Sequence, residues 1–285
     1  MRSRTSGRWG PSGPAWRRIG IAVYLGINLG LIAYQPWNVG FIRDWDLWRA
    51  IALGGDLYRE TGAELAYVWS PLMAPVVAGV VAFPAAWFIA HIAAVLLVRD
   101  WVFIGLMFCS WGFWADVAGG NTFTFAVVSG ILAWRGNRHA ALVYLALSFL
   151  MPRPVQLPLA FLLLWRMPEI RLPSFVIFSA HALVVSPYAV DWITRMVEYA
   201  RTTPADLSPR FFIGAIWIPI AAAIAIWFTI RQKPGLAGLF ASAYWLPQYF
   251  LMPLADLRSQ RKPEDADRAS PFARTAQIQV DRSDR

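Results

Sequence analysis

Cysteine is almost missing from this sequence. A single residue, Cys109, lies in an apolar run, so no internal disulfide can form. Charge is also scarce: 15% of the 285 residues are Asp, Glu, Lys or Arg, against about 25% in soluble domains. Only three histidines are present. There is no GxGxxG, no Walker loop, no HExxH and no clustered Cys/His spacing. These shortages exclude a secreted disulfide scaffold, a disordered chain and a coiled coil. What is abundant is apolar: 58% of residues, 16 of them Trp, with a mean hydropathy of +0.45. An all-α integral membrane protein fits, because Trp collects at membrane–water interfaces.

The net charge of +9 would suggest nucleic acid in a soluble protein. Its placement points to a membrane instead. Arg2, Arg4, Arg8, Arg17 and Arg18 precede the first apolar run with no acid among them. Residues 1–18 therefore read as a basic cytoplasmic tail, and 19–35 as a retained first helix rather than a cleaved signal. Further helices are expected near 71–98, 101–116, 121–134, 139–151, 154–166, 171–187, 210–230 and 234–255. Pro84 makes 71–98 either one kinked helix or two short ones. If 71–98 crosses once, the breaks at Arg99, Arg135/Arg138, Arg166/Arg171 and Arg231/Lys233 share the cytoplasmic side. Loop 36–70 and the breaks at 117–120, 152–154 and 188–209 then lie outside. This reading predicts a polytopic helical bundle of about nine spans in 19–255, with a disordered tail at 256–285 on the outer side.

Candidate chemistry is concentrated in a few places. Asp44 and Asp46 follow the first span, in a stretch (44–53) that reads as a short amphipathic helix ended by Gly54-Gly55. A carboxylate there is either a general base or a helix N-cap. Two residues apart on a helix, the pair would point to different sides. Arg153 sits between Pro152 and Pro154 in apolar sequence, with Gln156 nearby. Such an arginine binds an anion, pairs with an acid or rests at the interface of a short loop. Gly119-Gly120-Asn121 reads as a turn beside Asp116. His91, His139 and His181 read as hydrogen-bonded structural residues, and Cys109 as a small buried one. Neither a metal site nor a cofactor is expected.

The order of these elements resembles glycosyltransferase family 87, the polytopic mannosyltransferases of the GT-C type. Asp44 with Trp48 matches an Asp followed four residues later by an aromatic. Gly55-Asp56-Leu57-Tyr58 matches a G-D-x-Y segment, and Trp69-Ser70-Pro71-Leu72 a Y-P-P-L motif with Ser for the first Pro. Gly120-Asn121 stands where the family has G-Q-x-N, and Arg153-Pro154-Val155-Gln156 where it has K-P-Q-like residues. Phe123 replaces the second Asn of the former. The resemblance covers roughly residues 15–190 and implies a short member of the family.

It further implies a GT-C-like fold and a polyprenyl-phosphate sugar donor, with mannose as the sugar. Transfer would go to an outer-face lipid or glycan acceptor, inverting the anomeric centre. Asp44 would be the general base. Asp46, Trp48, Tyr58, Asn121, Arg153, Gln156 and Arg210 would bind substrate, with Arg153 and Arg210 on the phosphate. Two other classes fit the composition: a lipid or solute transporter, and a non-catalytic membrane protein descended from the enzymes.

Overall fold

The computed structural model describes residues 14–34, 70–202, 208–242 and 245–256. Every regular element among them is helical. The α-helices are α1 (Pro14–Tyr34), α2 (Ala74–Ala82), α3 (Pro84–Leu97), α4 (Trp101–Phe108), α5 (Trp111–Ala118), α6 (Phe123–Trp134), α7 (Arg138–Leu150), α8 (Leu157–Arg166), α9 (Arg171–Val185), α10 (Ala189–Thr202), α11 (Arg210–Ile213), α12 (Trp217–Ile230) and α13 (Pro234–Ala241). Short 3-10 turns join several of them, and a longer 3-10 segment, Pro247–Asp256, closes the described chain.

Proline explains many of the starts. Pro71, Pro84, Pro154, Pro168, Pro234 and Pro247 each open a helical element. At that position the missing N–H would have had no helical partner anyway. Polar side chains finish other ends. The Asp100 carboxylate accepts from the amides of Val102 and Phe103 at 3.1 and 3.3 Å. Asn137 Oδ1 accepts from Ala140 N at 3.0 Å. Gly120 and Gly136 take positive φ (71° and 94°) at the turns flanking α6.

Helix α6 is the centre. Phe123, Ala126, Val127, Val128, Ile131 and Ala133 are all buried. Tyr144 and Leu145 from α7, Val95 from α3, Leu159 and Leu163 from α8, and Tyr249 and Met252 from the last segment share its core. Gly130 lets this packing close: a Cβ there would stand 2.8 Å from Leu159 Cδ2 and 3.1 Å from the Tyr144 ring. Helix α1 joins through Asn28, whose Oδ1 accepts from Trp111 N at 3.0 Å and from Ser110 Oγ at 3.2 Å.

The all-α expectation agrees with this architecture, and of the two readings of 71–98 the structure has two helices, bent by 108° at Phe83–Pro84. Other segment boundaries differ from expectation. Segment 101–116 breaks at Cys109–Ser110, where Asn28 takes the Ser110 hydroxyl and the Trp111 amide. The region expected as an outer loop from 188 is helical through Thr202. Pro168–Glu198, 31 residues holding an 18-residue window with a mean hydropathy of 1.4, is long and apolar enough to cross a membrane; the bent pair 71–82 and 84–97 would be a second if it is one span.

Segment 234–255, expected as one crossing, turns back on itself. The amides of Gly235 and Leu236 donate to the Asp256 carboxylate at 3.0 and 2.7 Å, so its two ends meet. Two glycines make the return possible. A Cβ on Gly235 would strike the Met252 carbonyl, and one on Gly238 the Val155 carbonyl. Burial pushes the Asp256 carboxyl up to about 6, against the opposite pull of the two amides and Lys233.

Candidate functional site

Two turns converge at the N-terminal end of α6. One, 119–122, joins α5 to α6; the other, 151–156, joins α7 to α8. Arg153 Nη2 donates to Asn121 Oδ1 at 3.1 Å across 32 residues of chain. The guanidinium lies over the Phe123 ring, 5.1 Å from its centroid. Phe123 in turn contacts Tyr249 of the returning segment, ring centroids 5.4 Å apart. Thus the last segment forms part of the wall behind Arg153.

Arg153 is only 9% exposed, yet its Nη1 has no hydrogen-bond partner among the described residues. Gln156 is 1% exposed and its Oε1 is likewise unpartnered. Its backbone carbonyl is held by Tyr144 Oη at 2.8 Å. A buried charged donor and a buried amide acceptor, three residues apart, are each left unsatisfied. Unmet hydrogen bonds of that kind are costly. A ligand with an anionic oxygen and a hydroxyl would satisfy both.

The chain that leads into this region from loop 36–70 arrives at the same end. Ser70 N donates to the Leu150 carbonyl at 2.9 Å, one residue before Met151. Ser70 Oγ and His181 Nε2 lie 2.9 Å apart, and Trp192 packs edge-on to His181 with centroids 5.7 Å apart. Thr122 Oγ1 contacts Met151 Sδ at 2.6 Å. Ser70, Asn121 and Arg153, each from a separate motif in the sequence, therefore gather at one place.

The expected residues fall into three groups. Asn121, Arg153 and Gln156 belong to the two converging turns. Arg210 is half-buried at the start of α11, which packs on α12 rather than on those turns. Asp44, Asp46, Trp48 and Tyr58 lie outside the described residues. So does the amphipathic stretch 44–53. Among the described residues no group of three or more His, Cys, Asp or Glu is arranged to hold a metal ion.

Sequence reading underrated two residues here. His91 and Asp116 are fully buried beside Asn121, with Nε2 and Oδ2 3.6 Å apart. A lone histidine in an apolar helix and an acid before a glycine turn carry no spacing that ties them together. No protein-family model matches the chain, and neither a curated protein nor a solved structure is found similar to it.

Proposed function

We propose that the chain is a membrane-embedded glycosyltransferase. It moves a sugar, mannose by the motif resemblance, from a polyprenyl-phosphate donor to a lipid or glycan acceptor on the outer face. One observation carries this reading: a buried arginine, tied on one side to Asn121, keeps a guanidinium nitrogen unpartnered, three residues before a buried glutamine whose side-chain oxygen is also unpartnered. A planar, permanently charged group suits a phosphate leaving group.

The embedding has its own support. Ile19, Val23, Leu172, Phe175, Leu183, Ile226 and Ile230 are large apolar residues that face outward. A soluble monomer rarely exposes apolar surface on that scale. We read the chain as a polytopic bundle, with the Arg99, Arg135/Arg138 and Arg166/Arg171 breaks cytoplasmic and the Asn121–Arg153 end outside. The folded-back 234–256 segment lowers the expected nine crossings.

In the reaction, Asp44 takes the proton of the acceptor hydroxyl. The acceptor oxygen bonds to the anomeric carbon as that carbon's bond to the phosphate oxygen breaks. The electron pair leaves with polyprenyl phosphate, whose charge Arg153 stabilises. Asn121 and Gln156 bond sugar hydroxyls. A single displacement inverts the anomeric centre.

A lipid or solute transporter is a second reading, favoured by the 108° bend between α2 and α3. The deciding experiment incubates the purified full chain with labelled polyprenyl-phosphate mannose and a panel of acceptors. We expect transfer by the wild type and a loss of about a hundredfold or more in Asp44→Asn, with a much smaller loss in Asp46→Asn. Wild-type rates in Asp44→Asn would remove Asp44 from its role. Vesicle uptake without transfer would favour the transporter.

A further inference from the structure

His91 lies inside α3 with each ring nitrogen facing a carbonyl oxygen, and a neutral ring donates to one of the two. Nδ1 is 3.0 Å from the Trp87 carbonyl one turn earlier, and Nε2 is 3.0 Å from the Asn121 carbonyl. Trp87 and Phe125 clasp the ring, each with its centroid 4.5 Å away. Asp116 completes the arrangement. Its Oδ1 accepts from Phe123 N at 3.1 Å and its Oδ2 from Thr124 N at 2.6 Å. Its backbone carbonyl accepts from Asn121 N at 2.8 Å. The turn that carries Asn121 is thus gripped at its amide by Asp116 and at its carbonyl by His91.

We propose that His91 is a positioning residue. Together with Asp116 it fixes the Asn121 backbone, so that the Asn121 side chain holds Arg153 Nη2 and leaves Nη1 for the donor phosphate. This rests on the reading of Arg153 given above. Packing alone would not select histidine, since any aromatic ring fills the space between Trp87 and Phe125. What only an imidazole supplies there is an N–H toward the Asn121 carbonyl while the ring stays clasped. Phenylalanine would keep the clasp and leave that carbonyl without its donor.

The test uses the full chain in lipid nanodiscs with labelled polyprenyl phosphate as probe. His91→Phe and Asn121→Ala should each weaken binding about tenfold, the worth of a hydrogen bond in a charged network. The double variant should lose little more than either single one, because both act through the same contact to Arg153. His91→Gln, whose amide reaches toward the Nε2 position, should recover part of the loss. Losses that multiply to about a hundredfold in the double variant would overturn the proposal.

A second measurement needs no ligand. Amide hydrogen exchange in His91→Phe should quicken at 121–124 and at 153–157, and unchanged exchange across the latter turn would also overturn the proposal. If the wild type fails to bind the probe while exchange responds as expected, the glycosyltransferase reading fails and the positioning role stands.

Discussion

Arg135 and Arg153 stand at opposite ends of α6, and their surroundings differ. Arg135 follows the last turn of the helix. Its Nη1 donates to the Val98 carbonyl at 2.8 Å and its Nη2 to Asp100 at 3.4 Å. Arg166 lies at the same end, its guanidinium 4.2 Å from the centroid of the Trp134 ring. Arg171 bonds the Leu164 carbonyl at 2.9 Å. These arginines are partly exposed and tie neighbouring turns together. Arg153, at the first turn of α6, is buried, bonded through Nη2 and unpartnered at Nη1. An exposed arginine is cheap to keep anywhere at a membrane boundary. A buried one with an unmet donor is costly and stays only where something uses it.

Several measurements would break or sharpen that contrast. The largest effect is expected at Arg153. Arg153→Ala should cut sugar transfer about a hundredfold or more, and Arg153→Lys should lose less, because its ammonium keeps the charge and three donors but not the planar fork. Wild-type transfer in the alanine variant would make Arg153 an ordinary boundary charge. A topological measurement comes next. In a Cys109→Ser background, a cysteine at Arg138 should react with a membrane-impermeant maleimide only after permeabilisation, and one at Pro152 in intact cells. The reverse pattern would invert the two ends of α6.

Gly238→Ala should destabilise the chain by about 1–3 kcal/mol, read as a lower unfolding midpoint in detergent, since the new methyl meets the Val155 backbone next to Arg153. Transfer should fall as well, because Val155 lies between Arg153 and Gln156. The smallest effect is expected at the other end. Arg135→Ala should cost about 1 kcal/mol or less, given partial exposure, and leave transfer at the wild-type rate. A large loss of transfer there would erase the distinction between the two ends.

Much of the helix content is legible in the chain. Apolar runs mark most elements, proline opens several of them, and three of the four expected arginine breaks lie close together. Arg99-Asp100 and Arg135 do meet, as do Trp134 and Arg166. The interior breaks were not legible. At Cys109–Ser110 no proline or glycine intervenes; Asn28, from 83 residues earlier, caps Trp111 instead. Of the site, Arg153 and Asn121 stand out as polar residues in apolar surroundings, but their contact does not.

Composition alone determined that this is a strongly apolar chain, and local chemistry determined where many helices begin and which breaks carry charge. These properties follow from proline geometry, hydropathy and charge counting, each read within a few residues. Only the tertiary structure decided that Asn121 meets Arg153, that His91 reaches the Asn121 carbonyl 30 residues on, that Ser70 meets His181 111 residues on, and that 234–256 returns to its own start. The reason lies in the helices themselves. When a helix is apolar nearly all round, its sequence has no polar face to tell which side packs inward. Partner choice then rests on small features such as Gly130, Gly235 and Gly238, whose meaning appears only once the backbones they admit are in place.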